Sequence, residues 1–222
     1  MVRPLRHPNV VRFLGIERVG SDHLNIFLEY MDGGSLRAHL QTEGRMSEEQ
    51  TADITRKMLL GLRYLHSQGI THRDIKVANV LLSKIGDVKL ADFGTSKRTT
   101  QESVVSGIKG TPHWMAPEVI RAEPSLDWLL ADVWSVGCTV VEMLTGSRPW
   151  PEMSNVIAAM FHISKGQSPP LNIEVSSDAT SFIAACCSAE PQERHTVEML
   201  LNHPFLLRTP RSPPQKGPCQ LK

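Results

Sequence analysis

The sequence predicts an α+β fold, and three observations point to it. β-rich runs at residues 10–16, 23–30, 80–82 and 88–90 come early in the chain. Ile54, Met58, Leu62 and Leu65 then repeat at helical spacing behind a capping signal. A long apolar run after Asp132 reads as a second, more deeply buried helix. Strands that come first and long helices that come later suit segregated layers.

Composition sets the bounds. With 222 residues the chain can bury a sizeable core, as one domain or two small ones. A content of 41% hydrophobic and 21% charged residues is that of a soluble globular protein. The formal net charge of +1 gives no electrostatic argument for nucleic acid or an anionic membrane. The four cysteines, Cys138, Cys186, Cys187 and Cys219, have neither metal-ligand nor disulfide-framework spacing. Two of them adjoin in an apolar helix-like run, so buried free thiols in a reducing compartment are expected. No apolar run approaches membrane-spanning length and the N-terminus shows no secretory pattern, so a cytoplasmic location is expected.

Taken in order, His7-Pro8-Asn9 reads as a turn, and Gly20-Ser21-Asp22 as the turn between the first two strands. The second strand runs through Leu28, Glu29 and Met31 into Asp32-Gly33-Gly34-Ser35-Leu36. Alone, these residues are equally well an ordinary hairpin entering a helix. Ser47-Glu48-Glu49-Gln50 is a capping box, and the stripe behind it is core packing that Gly69 brings to a stop. The Lys84-Ile85-Gly86-Asp87 turn makes a hairpin of 80–82 and 88–90, fixing Asn79 at one end and Asp92 at the other. Residues 94–115 keep no periodicity and are rich in small hydroxylated side chains. Asp132, taken alone, reads as the N-cap of a helix that Thr145-Gly146 ends. Further helices are expected at 154–163, 178–188 and 196–201. The basic, Pro-rich tail 208–222 is expected to be disordered, and its last four residues are a poor prenylation match.

One stretch carries chemistry: His72-Arg73-Asp74-Ile75-Lys76-Val77-Ala78-Asn79, followed by Asp92-Phe93-Gly94. Each part has a task if the reaction is phosphoryl transfer, where catalysis is mostly positioning and charge neutralisation. Asp74 can orient an attacking hydroxyl and accept its proton. An amide, Asn79, and a second carboxylate, Asp92, suit the hard Mg²⁺ ion. Lys76 supplies a positive charge to the transferring group. Five fixed residues in eight positions would arise by chance in a chain of this size with odds of roughly 10⁻⁴.

The stretch resembles the catalytic and metal loops of the protein kinases, a well-described template for phosphoryl transfer. The resemblance implies ATP and Mg²⁺ as cofactors and a protein hydroxyl as acceptor. It divides the chain into a small-lobe remnant with hinge (1–31), a nearly complete helical large lobe (32–207) and the tail (208–222). By the same resemblance Leu28 is the gatekeeper, the backbones of Glu29 and Met31 meet the adenine edge, Leu81 lies beneath the ring and Ala91 precedes the metal loop. Gly110-Thr111-Pro112 and Ala116-Pro117-Glu118 match the substrate-pocket and anchor motifs. The Thr111 hydroxyl would bridge Asp74 and Lys76, an arrangement of Ser/Thr kinases. Asp132 would hold catalytic-loop amides, and Arg194 would pair with Glu118. Arg73, preceding the base, could capture a phosphate on Thr99, Thr100, Ser103 or Ser106.

Departures from the pattern matter as well. No Gly-x-Gly-x-x-Gly run occurs and the first lysine is Lys57, inside the capped helix. The resemblance therefore covers about 5–206, and roughly the first third of a kinase domain is expected to be missing. His113 stands where an aromatic residue is usual, a change that could reshape the substrate pocket, and His195 where proline is usual. Trp128-Leu129-Leu130 is more apolar than the typical segment before Asp132. Among the kinases the motifs look most like the MAP kinase kinase kinases and their Ste20-like neighbours, which implies a MAP kinase kinase as substrate. Two functions stay open: a Ser/Thr kinase, or a non-catalytic kinase-like module that binds partner proteins.

Overall fold

The computed structural model describes residues 5–20, 23–92, 97–98 and 111–207, with 97–98 described by backbone alone. Phe93, Gly94, Thr99, Thr100, Ser103, Ser106 and Gly110, Cys219 and the tail lie outside the described residues.

Strand β1 (Phe13–Val19) pairs antiparallel with β2 (His23–Leu28), Ile16 standing opposite Ile26. Phe13, Ile26 and Phe27 stay exposed, at 46%, 58% and 47%, as a two-stranded ribbon requires. Below it, β4 (Val80–Leu82) and β5 (Val88–Leu90) form their own hairpin, and short β3 (Ile70–Thr71) pairs with β6 (Lys97–Arg98).

Val10 and Val11 correct the sequence reading, which put them in the first strand. Both are buried, at 1% and 2%. The Leu90 N–H donates to the Asn9 carbonyl (3.0 Å) and the Val11 N–H to the Leu90 carbonyl (2.9 Å). Residues 9–11 thus run parallel along β5, and β1 starts only at Phe13.

Helix α1 (Leu36–Glu43) starts on Ser35, and α2 (Glu48–Ser67) on Ser47, where both bonds of the capping box are made. The expected stripe is inside: Ile54, Met58, Leu62 and Leu65 are 7% exposed or less. Gly33 lets the connector to α1 lie flat on β4: a Cβ there would sit 2.7 Å from the Leu82 carbonyl oxygen. This close approach brings Leu81 under the connector, bridged to Ser35.

The rest is helical: α3 (Pro117–Ile120), α4 (Trp128–Thr145), α5 (Val156–Ser164), α6 (Ser177–Cys186), α7 (Val197–Leu201) and α8 (Pro204–Leu207). The helices expected at 154–163, 178–188 and 196–201 thus hold to within two residues at every boundary. Helix α4 corrects two expectations. Its N-cap is Asp127, whose Oδ1 accepts from the Leu129 and Leu130 N–H groups at 2.9 and 3.3 Å. Asp132 therefore lies inside the helix, 1% exposed, and caps nothing. The helix also reaches the length and apolarity of a short membrane span, with mean hydropathy 1.3 over 18 residues, but 78% of it is buried in the protein. Its apolarity is spent on the core. Gly137 is needed where α6 crosses α4, since a Cβ there would collide with the Cys187 sulfur. Cys138, Cys186 and Cys187 are buried free thiols, as expected, and burial pushes Cys138 and Cys186 well up.

Candidate active site

The catalytic loop hangs from α4. Asp132 accepts the main-chain N–H groups of His72 (2.8 Å, Oδ2) and Arg73 (2.7 Å, Oδ1), and its Oδ2 also contacts His66 Nε2 at 2.9 Å. Gripping two successive amides turns the backbone sharply, and Arg73 takes φ 67°, a left-handed value costly for a side-chain-bearing residue. His72, fully buried, carries the pull onward. Its Nε2–H donates to the Ala91 carbonyl (3.0 Å), while Nδ1 accepts from the Asp74 N–H (3.4 Å). That pairing keeps the ring neutral, and burial lowers its proton affinity further. Asp92, next in the chain, also has positive φ, 62°. Two of the positive-φ non-glycine residues thus flank the site; Ala122 and Trp150 are others, away from it.

Asp74 lies at the centre. Its Oδ2 accepts from Lys76 Nζ (2.7 Å) and Asn79 Nδ2 (2.8 Å), and its Oδ1 from the Thr111 hydroxyl (2.8 Å). The Thr111 oxygen in turn accepts from Lys76 Nζ at 2.5 Å. Among the described residues Oδ1 takes only Thr111, so a lone pair remains for an incoming hydroxyl. Burial favours protonation of Asp74, but the bonds from Lys76 and Thr111, the Lys76 charge and Asn79 outweigh it. Its pKa ends below the ordinary carboxylate value, so Asp74 is ionised at neutral pH.

The metal-binding expectation can be tested on Asn79. Its Nδ2 is committed to Asp74, to the carbonyl (2.8 Å) and to Oδ2 (2.8 Å), both acceptors. The amide orientation follows from those two acceptors, and Oδ1 is the oxygen left for a ligand role. Asn79 is tied through its carbonyl to the Ala91 N–H (2.9 Å), one residue from the Asp92 carboxylate. One amide oxygen and one carboxylate joined this closely fit a hard divalent cation.

At the hinge, Leu28 is 44% exposed and Met31 is buried. The Glu29 N–H donates to the Arg12 carbonyl, and the Met31 carbonyl accepts from Gly34. Their remaining main-chain groups, the Glu29 carbonyl and the Met31 N–H, are those left for an adenine edge. The Glu29 side chain has a task the sequence did not disclose. It accepts from Lys89 Nζ at 2.9 Å through both oxygens and from the Arg12 N–H at 2.7 Å, pinning the ribbon to β5. Leu81 is half-buried and Ala91 buried beside this connector.

Arg73 projects onto Trp128, its guanidinium 3.8 Å from the ring centroid, and its Nε donates to Thr71 Oγ1. The apolar segment before Asp132 thus acquires a partner that sequence spacing could not show. The four hydroxyls offered as phosphate donors to Arg73 are not described, so no partner can be assigned there. Arg194 and Glu118 form a buried bidentate pair at 2.7 and 2.8 Å. His113 is buried, and its Nε2 contacts Arg148 at 2.9 Å. His195 uses its N–H on the Ala185 carbonyl, a bond proline could not make.

The protein kinase domain model matches residues 1–206. A mitogen-activated protein kinase kinase kinase 2 of Arabidopsis thaliana is 47% identical over 210 residues, 93% of this chain and 32% of its own length. A mitogen-activated protein kinase kinase kinase 3 of the same plant is 45% identical over 210 residues, again 93% of this chain and 32% of its own length. Mitogen-activated protein kinase kinase kinase A of Dictyostelium discoideum is 41% identical over 211 residues, 93% of this chain and 22% of its own length. The chain thus spans only 22–32% of these curated relatives. With the domain model matched from the first residue into α8, and the Asp74 and Asp132 networks in place, this chain belongs to the protein kinase family.

Proposed function

We propose that the chain is the catalytic part of a Ser/Thr protein kinase that phosphorylates a MAP kinase kinase from ATP and Mg²⁺. The observation that carries this reading is the Thr111 hydroxyl held between Asp74 and Lys76. Asp74, kept ionised, accepts the hydrogen bond of the substrate hydroxyl through Oδ1 and takes its proton as the oxygen attacks phosphorus. Lys76, anchored to Asp74 and Thr111, holds positive charge where the transferring group gains negative charge. Asn79 Oδ1 and the Asp92 carboxylate would hold Mg²⁺, which when bound offsets phosphate charge. The Thr111 hydroxyl serves the site itself, and the candidates for control through Arg73 are Thr99, Thr100, Ser103 and Ser106.

The test is transfer from labelled ATP to a generic protein substrate. The chain extended N-terminally by a complete small lobe is expected to label Ser or Thr, and Asp74→Asn to abolish it. Label on Tyr, or transfer indifferent to Asp74→Asn, would overturn the proposal.

A second reading, a binding module without turnover, draws on the exposed apolar ribbon, where Phe13, Leu14, Ile16, Leu24, Ile26 and Phe27 are 46–58% exposed. Residues 1–222 alone are expected to show little transfer. If the extended chain is equally inactive, this second reading stands.

A further inference from the structure

His113 and Arg148 take no part in the steps above and stand 35 residues apart, yet their side chains meet. His113 belongs to the single turn Pro112–Trp114 and is 5% exposed. Arg148 is half-buried in the connection between α4 and α5. Its guanidinium reaches two groups: Nη1 lies 2.9 Å from His113 Nε2, and Nη2 donates to the Met153 carbonyl at 2.9 Å. The turn that holds His113 is also the one that presents Thr111, because the Trp114 N–H donates to the Thr111 carbonyl at 2.9 Å. The Thr111 hydroxyl is the one held between Asp74 and Lys76.

The contact fixes the state of the imidazole. A guanidinium only donates hydrogen bonds, and it keeps its charge in proteins. At 2.9 Å from it, Nε2 must be the nitrogen with the lone pair, so the ring proton sits on Nδ1. A protonated ring has no acceptor left. It would also set a second positive charge against Arg148 in a buried place, where water screens little, and attraction would turn into repulsion. A phenylalanine here could accept no such bond, so the contact depends on the histidine.

We propose that His113 and Arg148 are positioning residues that form a proton-sensitive clasp: with His113 neutral, Arg148 ties the turn that presents Thr111 to the α4–α5 connection, and a proton on His113 releases it. The clasp is a matter of geometry, and only its bearing on phosphate transfer rests on the function proposed above.

The surroundings favour the neutral ring. Burial and then the Arg148 charge lower the proton affinity of His113. Helix α4, packed against the turn, brings Glu142, whose Oε2 accepts instead from the Trp114 indole N–H at 3.1 Å. Helix α5, also packed against it, brings His162, whose Nδ1 meets Gln167 Oε1 at 2.8 Å, and ends at Lys165, which lies over the Phe161 ring. Glu152, in the connection itself, is exposed. Among the described residues no carboxylate is hydrogen-bonded to the imidazole. With the folded pKa below the ordinary value of 6.5, the clasp contributes its full stability above 6.5 and loses it as pH falls through the lowered value.

The experiment reads the imidazoles of ¹⁵N-labelled residues 1–222 by two-bond ¹H–¹⁵N NMR across a pH titration. It needs no activity and so fails separately from the kinase reading. The His113 ring is assigned by its loss in His113→Phe. It is expected in the Nδ1–H form above pH 6.5 and to titrate below that value, with the Thr111 amide shifting through the same midpoint. Arg148→Met keeps an aliphatic stem but removes the donors and the charge, and should move the His113 midpoint up towards 6.5. The Nε2–H form, a midpoint at or above 6.5, or a midpoint unmoved by Arg148→Met would each overturn the clasp. So would a ring that stays neutral until the chain unfolds. Titration of His113 with the Thr111 amide unmoved would refute positioning at the site. Should Arg148→Met fail to fold, the ring form and the shared midpoint in the unmutated chain decide alone.

Discussion

The catalytic loop and the β1–β2 ribbon sit on either side of the hinge, and they are held in opposite ways. The loop is fixed from inside, by a buried side chain on α4: Asp132 holds two of its amides. The ribbon has its backbone ladder and one ionic pin, Glu29 to Lys89, while its apolar side chains face outward. In the first region, removing one polar partner strands another in a medium that cannot hydrate it. In the second, water replaces whatever is taken away. Mutational cost should therefore fall steeply from the large lobe to the ribbon.

The largest effect is expected at Arg194. Its side chain is 0% exposed and its partner Glu118 1%, so Arg194→Met leaves an uncompensated buried carboxylate. The expected loss is about 3–5 kcal/mol in urea unfolding. The double change with Glu118→Gln should recover part of it, because no buried charge then remains. A loss below about 1 kcal/mol for the single change would mean the pair behaves like a surface one, and the contrast would fail.

Next comes apolar packing. Leu62, fully buried on α2, should cost about 2–5 kcal/mol as Leu62→Ala, by lost transfer energy and the cavity left behind. Leu24→Ala, at 57% exposure in the ribbon, is the matched control and should stay within about 0.5 kcal/mol. Equal losses at both sites would show that the ribbon is covered in solution.

The same contrast explains how much could be read from the sequence. Asp74, Lys76, Asn79 and Thr111 were legible because fixed residue types at short spacing match a known pattern, and the structure brings these four together. The α2 stripe was legible because helical period and capping are local signals. Val10 and Val11 were misread because β-branched residues look alike in an exposed strand and on a buried parallel edge; only Leu90, distant in sequence, decides between them. Asp132 taken alone read as a cap, the signal that Asp127 offers five residues earlier; the resemblance assigned it to the catalytic-loop amides, which it does hold. Lys89 and the Trp128 stack on Arg73 left no local signal at all, since each is defined by a partner dozens of residues away. Lone acidic residues in apolar helices, such as Glu142, are the one class that sequence could flag, as charges needing an internal partner.

Helix α4 offers a smaller, sharper test of that ambiguity. Asp127→Ala removes the cap that accepts from Leu129 and Leu130, and should cost about 1 kcal/mol without disturbing the loop amides. Asp132→Asn should instead change the amide hydrogen exchange of His72 and Arg73, because their acceptor loses its charge. If Asp127→Ala loosens those two amides as much as Asp132→Asn does, capping and anchoring are not separate tasks.

The smallest effect is expected in the ribbon itself, at the directly opposed pair Ile16 and Ile26. Both side chains are more than half exposed, at 57% and 58%, so neither carries a buried methyl that threonine would lose. Threonine keeps the β-branched shape, and a Thr–Thr pair can restore some cross-strand interaction. Ile16→Thr with Ile26→Thr should therefore change the stability of residues 1–222 by no more than about 0.5 kcal/mol. In a chain carrying a complete small lobe, the sheet would be packed on one face, and two hydroxyls there would have to be buried. The cost should then rise to about 1–3 kcal/mol for each hydroxyl left without a partner. Measuring the pair in both chains separates a ribbon that is only exposed from one that is waiting for cover: the same small change in both would leave the ribbon with no packing role to complete.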